Sequence, residues 1–309
     1  MTSGRAGIDP QEILRVYQSG KNVMEYLRGL QGTQLNDPFT ILASYDLQAG
    51  SYVRALTEHP ELARMQAASA AKFAALFDQL EPASLLEVGV GEATTLGNVL
   101  TRMQRRPMHA LGFDISVSRV LVARSYLGTL DQKATLFTGA LESIPLETSS
   151  VDVVYTSHSV EPNGGRERVI LEELYRVARR YLVLREPSNE LGSEATRSRM
   201  LQHGYAQNLH ATAVELGYDV IQHSLWKLDP NPMNEAALIV IRKPGFDAPV
   251  VGDAPALASP LNKRAMIRSG GGLYSEGDCL VFPILAGIPC LLPENGVFCI
   301  RWLESVAAD

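Results

Sequence analysis

Before position 279 the sequence contains no cysteine, and the three it has, Cys279, Cys290 and Cys299, form no CxxC pair. An odd set of thiols without that spacing excludes a disulfide framework and points to reduced, packed side chains. Positive charge is also short, with 28 Lys and Arg against 34 Asp and Glu and a formal net charge of -6. No global field draws in a polyanion, which disfavours nucleic acid as a partner. Long apolar runs are missing too. The longest, Cys279–Leu292, is interrupted by Pro283, Gly287 and Pro289 and is too short to cross a bilayer. Met1–Pro10 is polar and lacks the apolar core of a secretory signal. The expectation is therefore a cytoplasmic protein with no membrane association.

What remains is the composition of a soluble globular protein, 46% hydrophobic and 20% charged over 309 residues, enough for two domains. Residues Asp9 to about Leu80 read as helical. Asp9-Pro10 is an N-cap followed by proline at the first helical position, and Ile13, Leu14 and Tyr17, then Val23, Met24 and Leu27, keep helical spacing. A turn at Asn36-Asp37-Pro38 interrupts this region before the polar and aromatic cluster Tyr45–Tyr52. A further helix follows, with Leu62, Met65, Phe73, Leu76 and Phe77 on one side and the small Ser69 among them.

From Ser84 short apolar runs alternate with amphipathic segments. Strands are expected at Ser84–Val90, Ala110–Asp114, Ala134–Thr138, Val151–Ser157, Tyr181–Arg185, Asp219–Leu228 and Ala236–Ile241. Helices fit at Ala93–Arg105, Val117–Leu127, Gly165–Ala178 and Thr196–Leu216. Such alternation predicts an α/β fold with a parallel sheet. Only Asp229–Glu235 separates the last two strands, so they should form an antiparallel hairpin at one sheet edge. Pro244–Pro260, rich in Pro, Ala, Gly and Asp, reads as a linker. The expected organisation is an N-terminal helical lid region (1–83), an α/β domain (84–244), a linker (245–260) and a small tail domain (261–309).

The chemistry centres on Leu85–Thr95, where an apolar strand enters a glycine turn that opens a helix. Glycines there let a ligand lie against the backbone near helix N–H groups. Glu87 stands two residues before Gly89 and can reach an ammonium group above the strand end. Asp114 ends the next strand, 23 residues after Gly91, where a carboxylate can accept bonds from both hydroxyls of a ribose. A ribosylated ligand with a cationic amino-acid end satisfies both acids, and S-adenosylmethionine (SAM) is such a ligand. A dinucleotide site expects a third glycine where this chain has Thr94, so SAM is favoured over a nicotinamide cofactor.

Glu87–Gly91, Asp114, and the run Thr138–Leu146 through Ser150–Val154 resemble successive motifs of class I SAM-dependent methyltransferases, over Ser84–Ile241. The resemblance implies a Rossmann-like seven-stranded sheet whose last strand is antiparallel. It also implies that Gly89 and Gly91 approach the methionine part, that Asp114 holds the ribose, and that Ala140 and Leu141 flank the adenine. Many members carry an acid where this chain has Gly139, so backbone groups or Glu142 should serve the adenine. By the same resemblance Tyr45 and Tyr52 belong to a lid over the methionine end. His158, at the expected end of the fourth strand, is placed to accept a proton during methyl transfer, and it equally suits a pocket-shaping role with Glu161. Glu186 is a further polar residue expected at the crevice, and Arg197, Arg199, His203 and Tyr205 stand where substrate contacts are common.

The tail runs Leu280–Ile284 and Gly287–Glu294 resemble the small activator domains of tRNA methyltransferases. Zinc-binding members carry a CPxC pair where this chain has Ser259-Pro260-Leu261-Asn262, so no metal is expected. The expected function is methyl transfer to an oxygen or nitrogen of a small molecule, a sugar or a surface-polysaccharide precursor. A methyltransferase acting on tRNA or a translation protein is the alternative suggested by the tail, and a non-catalytic scaffold is the third reading. A homo-oligomer is compatible with all three.

Overall fold

The computed structural model describes residues 8–228, 231–246 and 248–306. The expected lid region begins and the tail domain ends outside that span, as do Asp229 and Pro230 of the hairpin turn. Five helices open the chain: α1 (Pro10–Gln18), α2 (Val23–Gln31), α3 (Pro38–Leu47), α4 (Ser51–Glu58) and α5 (Pro60–Leu80). Their starts follow from local chemistry. Asp9, Asn22 and Asp37 each accept a bond from a first-turn amide, and Pro10, Pro38 and Pro60 stand where the missing N–H costs nothing.

The larger sheet comprises β1 (Ser84–Val88), β2 (His109–Asp114), β3 (Thr135–Thr138), β4 (Val151–Ser157), β5 (Ala178–Pro187), β6 (Asp219–Leu225) and β7 (Ala236–Arg242). Its helices are α6 (Thr94–Leu100), α7 (Val117–Thr129), α8 (Glu167–Val177), α9 (Glu194–His203) and α10 (Leu209–Glu215). The strand order is β3-β2-β1-β4-β5-β7-β6, and β7 alone runs antiparallel to both neighbours. The order reverses between β1 and β4, so their carboxyl ends open the crevice in which such sheets bind ligands.

Two helical expectations are corrected. The expected helix Ala93–Arg105 stops at Leu100, and the amides of Gln104 and Arg105 bond instead to the Asp78 carboxylate. Thr196–Leu216 divides at Gly204, which ends α9 in the left-handed conformation at φ 65°. There the Arg28 guanidinium and the Asn36 amide satisfy the last carbonyls of α9, and a Cβ on Gly204 would meet the Gln34 carbonyl at 2.4 Å. The N-terminal region thus satisfies carbonyls that the Gly204 cap leaves open.

One face of the sheet packs Leu86, Val154 and Leu182 against α8 and α10, and the other packs Leu85, Tyr155 and Val183 against α5, α6 and α7. Trp226, fully buried, lies 4.7 Å from the Phe73 ring, and its indole N–H donates to Ser69 Oγ. The small residue in the α5 face is thereby explained as a partner for a buried indole.

The tail folds as β8 (Ile267–Ser269), β9 (Gly272–Ser275), β10 (Leu280–Leu285), β11 (Ile288–Pro289), a 3-10 turn (Pro293–Asn295), β12 (Val297–Phe298) and α11 (Trp302–Val306). It closes over the edge strand β3. The Leu291 amide bonds to both the carbonyl and the hydroxyl of Thr138, and Thr138 bridges Cys290. Phe282, Leu273 and Leu291 join the apolar cluster on one side of the sheet, while Ile288 joins the cluster on the other. Within the segment expected to be a linker, Leu257 pairs with Leu146 and Ala258 is fully buried. An otherwise open edge is covered, which removes a template for pairing with another chain.

The tail should therefore act as part of the molecule's core. A fragment ending at Gly252 loses these contacts and should melt at a lower temperature and bind a hydrophobic dye more strongly than the full chain. A fragment that melts as before, measured by calorimetry with dye fluorescence, contradicts this docking.

Candidate functional site

The cleft at the carboxyl ends of β1, β2 and β4 is lined by Glu87, Gly89, Gly91, Glu92, Asp114, Ala140, Leu141, Glu142 and His158, and it is roofed by Tyr45 and Tyr52. Every residue that the sequence suggested for the cofactor is thus in one cavity, together with the candidate base. A second chamber of about 620 Å³ adjoins it and shares Tyr45, Tyr52, Thr94, Thr95, Ser157 and His158 with it. Glu161 lines this second chamber only.

The glycine turn is tight because protein side chains press on it. A Cβ on Gly89 (φ 66°) would lie 2.2 Å from Ser159 Cβ, and one on Gly91 would lie 2.6 Å from Arg119 Nη2. Gly89 therefore demands glycine on packing grounds as well as for its positive φ, and Gly91 (φ 53°) demands it for its backbone conformation. The Gly91 amide donates to Asp114 Oδ2 at 3.0 Å and the Ser116 amide to Oδ1 at 2.9 Å. These bonds fix the carboxylate plane, and each oxygen retains capacity for a further bond from a ligand hydroxyl.

Glu87 is 2% exposed, and the Tyr155 hydroxyl donates to its Oε2 at 3.0 Å. Burial pushes its carboxyl up to about 8 against the opposing hydrogen bond from Tyr155. Such a group takes up a negative charge most readily when a cation arrives beside it. Gly139, the departure from the family pattern, also has a packing cause, since a Cβ there would meet Pro145 Cδ at 2.9 Å and the Phe113 ring at 3.2 Å. Glu142 lines the cleft but is ion-paired with Arg166 at 2.6 Å.

The roof was only partly visible in the sequence. Tyr45 stands in the last turn of α3, and Tyr52 stands in the first turn of α4, which has no side-chain cap of its own. The cap is Glu92, from the glycine turn. Its carboxylate accepts from the amides of Gly50, Tyr52 and Val53 at 3.0, 3.3 and 2.8 Å. The buried Arg119 guanidinium then lies 5.1 Å from the Tyr45 ring centre and 4.6 Å from that of Tyr52. Burial raises the phenol pKa of both tyrosines, so they serve as neutral walls and donors. Neither Glu92 nor Arg119 was singled out from the sequence. Glu92 directly follows Gly91, and that adjacency to the glycine turn was the available signal.

His158 adopts φ 57°, and its Nδ1 lies 2.7 Å from Glu161 Oε2. Asn234 donates to the same Glu161 oxygen at 3.3 Å. Glu186, expected in the crevice lining, is instead buried beneath this turn, where its two oxygens accept the amides of Ser159 and Glu161 at 3.1 and 3.0 Å. It holds the turn that presents His158. Of the residues expected to touch substrate, Arg199 lines the second chamber, whereas Arg197 is exposed and bonds the Asn189 carbonyl. His203 stacks on Tyr205 with ring centres 5.3 Å apart.

Residues 86–181 match the family model described as a methyltransferase domain, a span that holds β1 through the first part of β5. Among solved structures, the chain is similar to the magnesium protoporphyrin IX methyltransferase of Synechocystis PCC 6803 with bound S-adenosylhomocysteine. That match has 12% identity and a TM-score of 0.53, and it covers 67% of this chain and all of the other. The same enzyme with bound SAM aligns at 13% identity and a TM-score of 0.49, covering 68% of this chain and 98% of that one. At 12% identity the first of these likenesses establishes the fold alone, that of a seven-stranded methyltransferase sheet. No curated protein matches the sequence.

The raised carboxyl of Glu87 makes a prediction about stability. Its folded value of about 8 lies above the ordinary 4.5, so the folded state holds more protons between those limits. Its contribution to stability is complete below about 4.5 and is lost as pH rises through about 8. Glu87→Gln, which cannot ionise, should remove this slope. Urea unfolding at several pH values should show the wild-type curve falling relative to that of the variant as pH rises. Parallel curves would contradict the assignment.

Proposed function

We propose that this chain is a SAM-dependent methyltransferase that transfers a methyl group to an oxygen or nitrogen of a small molecule, with a sugar or surface-polysaccharide precursor as the acceptor class. The observation that carries the reading is the position of His158 on the wall common to the cofactor cleft and the second chamber, with its Nδ1 against Glu161. The residues fit SAM by their donor and acceptor chemistry. Asp114 offers carboxylate oxygens to a ribose, Glu87 offers a buried acid to an ammonium, and Ala140 and Leu141 offer an apolar edge to adenine. When bound, SAM supplies an electrophilic methyl group whose transfer is an in-line displacement, so alignment of the acceptor provides much of the catalysis.

The chain's own groups supply the rest. An Nδ1–H donated to Glu161 fixes the imidazole tautomer and leaves the lone pair on Nε2, which takes the proton of an acceptor hydroxyl or amine as the new bond forms. Ala55, Leu56, Leu62 and Met65 give the chamber an apolar wall, and Gln66, Arg199, Asn231 and Asn234 give it polar groups. A sugar presents that combination, with apolar ring faces and hydroxyls at its rim. In the tail, proposed as a metal-free activator-like module, Ser259 opens the stretch that matches the CPxC pair of zinc-binding members, and its hydroxyl, like that of Ser275, donates to the Asp278 carboxylate. The tail's resemblance favours the second reading, methylation of tRNA or a translation protein. The acidic balance favours the first.

Incubation with SAM and a panel of nucleotide sugars and tRNA, read by mass spectrometry, tests the acceptor class. The first reading expects a methyl-sized gain on a sugar, whereas methylation of tRNA alone overturns it. Asp114→Ala should weaken SAM binding by roughly 1.5–3 kcal/mol, the worth of hydrogen bonds to a charged group. Asp114→Asn keeps the side-chain shape in case the alanine variant is unstable, and unchanged affinity in both would refute the site. His158→Gln should lower kcat by about 10²–10⁴-fold while leaving SAM affinity intact. An equal loss in SAM affinity would make His158 a pocket residue instead.

A further inference from the structure

Away from the cleft, three elements bring together side chains that no sequence motif linked. Glu190 lies in the loop after β5, His210 in the first turn of α10, and His223 on the edge strand β6. Glu190 Oε1 is 3.9 Å from His210 Nδ1, and Oε2 is 3.9 Å from His223 Nε2. All three ligand atoms lie within 4.8 Å of one another. The two imidazoles stack with ring centres 3.8 Å apart.

These distances are too long for hydrogen bonds. His223 Nε2 is buried and has no hydrogen-bond partner, an arrangement that costs free energy unless something else occupies the nitrogen. Glu190 is already oriented, because its Oε1 accepts the Ala211 amide at 3.0 Å. That bond holds the carboxylate as second-shell contacts hold the ligands of metal sites.

We propose that Glu190, His210 and His223 form a binding site for a divalent transition-metal ion of the zinc class, with water in the remaining position. Two imidazoles and a carboxylate are a recurrent donor set for zinc. Metal–ligand bonds of about 2.0–2.1 Å in a tetrahedron put ligand atoms about 3.3–3.4 Å apart, so each 3.9 Å separation must close by only a little. The stacked rings swing apart about their Cβ–Cγ bonds as the ion enters. That movement is open to side chains that remain 31% and 14% exposed.

None of the three residues lines the cofactor cleft or the second chamber, so the ion is structural rather than catalytic. It clips the β5–α9 loop and the start of α10 to the edge strand, and it thereby steadies α9, which carries Arg199 into the acceptor chamber. This site departs from the sequence expectation of no metal, which rested on the missing thiols of the tail, and it does not rest on the transferase reading.

The test is titration of the full, chelator-stripped chain with zinc alone, with magnesium as the control, followed by substitution with cobalt(II). One equivalent of zinc should bind, raise the melting temperature, and give a cobalt spectrum without a thiolate charge-transfer band. A lost ligand costs at least as much as a lost second-shell partner, about 10–100-fold in affinity. His210→Ala, His223→Ala and Glu190→Gln should each weaken zinc by that factor or more, with the far-UV circular dichroism unchanged. Absence of zinc binding overturns the proposal, as does wild-type affinity in the two histidine variants. A thiolate band would also overturn it, by assigning the ion to Cys279, Cys290 or Cys299.

Discussion

The buried carboxylate of Glu92 is the contact on which the site's architecture depends. It follows the glycine turn directly and caps a helix some forty residues earlier in the chain by accepting three of its first amides. A helix N-terminus presents unpaired N–H groups and a partial positive charge, and α4 has no side chain of its own to meet them. One carboxylate therefore joins the roof to the turn. Arg119 completes the joint, with its guanidinium against Gly91 and between the tyrosine rings. Roof, turn and the Asp114 strand end behave as a single unit.

That unit also divides the crevice. On one side lie the acids and the glycine backbone, and on the other lies a chamber with an apolar wall and scattered polar groups. His158 stands between them because the turn after β4 is held from below by Glu186, whose two oxygens take the amides of Ser159 and Glu161. A left-handed backbone at a non-glycine residue is costly, and those buried bonds oppose the cost. The tail plays a different part. It covers the β3 edge just beyond Asp114 and contributes apolar residues to both faces of the sheet, so the cofactor side rests on residues from the far end of the chain.

Much of this was legible in the sequence, for physical reasons. The seven strands and the closing hairpin follow from apolar runs and connection lengths, and each expected strand overlaps an observed one. Glu87, Gly89, Gly91 and Asp114 stand out because a strand–turn–helix carries its ligand chemistry locally. What escaped was set by contacts distant in sequence. Gly204 splits the expected helix Thr196–Leu216 because Arg28 and Asn36 cap it from the N-terminal region. Glu186 bonds backbone amides rather than lining the cleft, and spacing alone does not show which way a side chain at a strand end turns. Glu190, His210 and His223 lie on three separate elements and share no motif.

Isothermal titration of the full chain with SAM, run in two buffers of different ionisation enthalpy at neutral pH, bears most directly on the central claim. The account predicts one site per chain. It also predicts that a proton is released on binding, as the Glu87 carboxyl, held at about 8 in the folded protein, ionises beside the ligand's ammonium group. Absence of SAM binding, or binding of a nicotinamide dinucleotide in its place, would contradict the account.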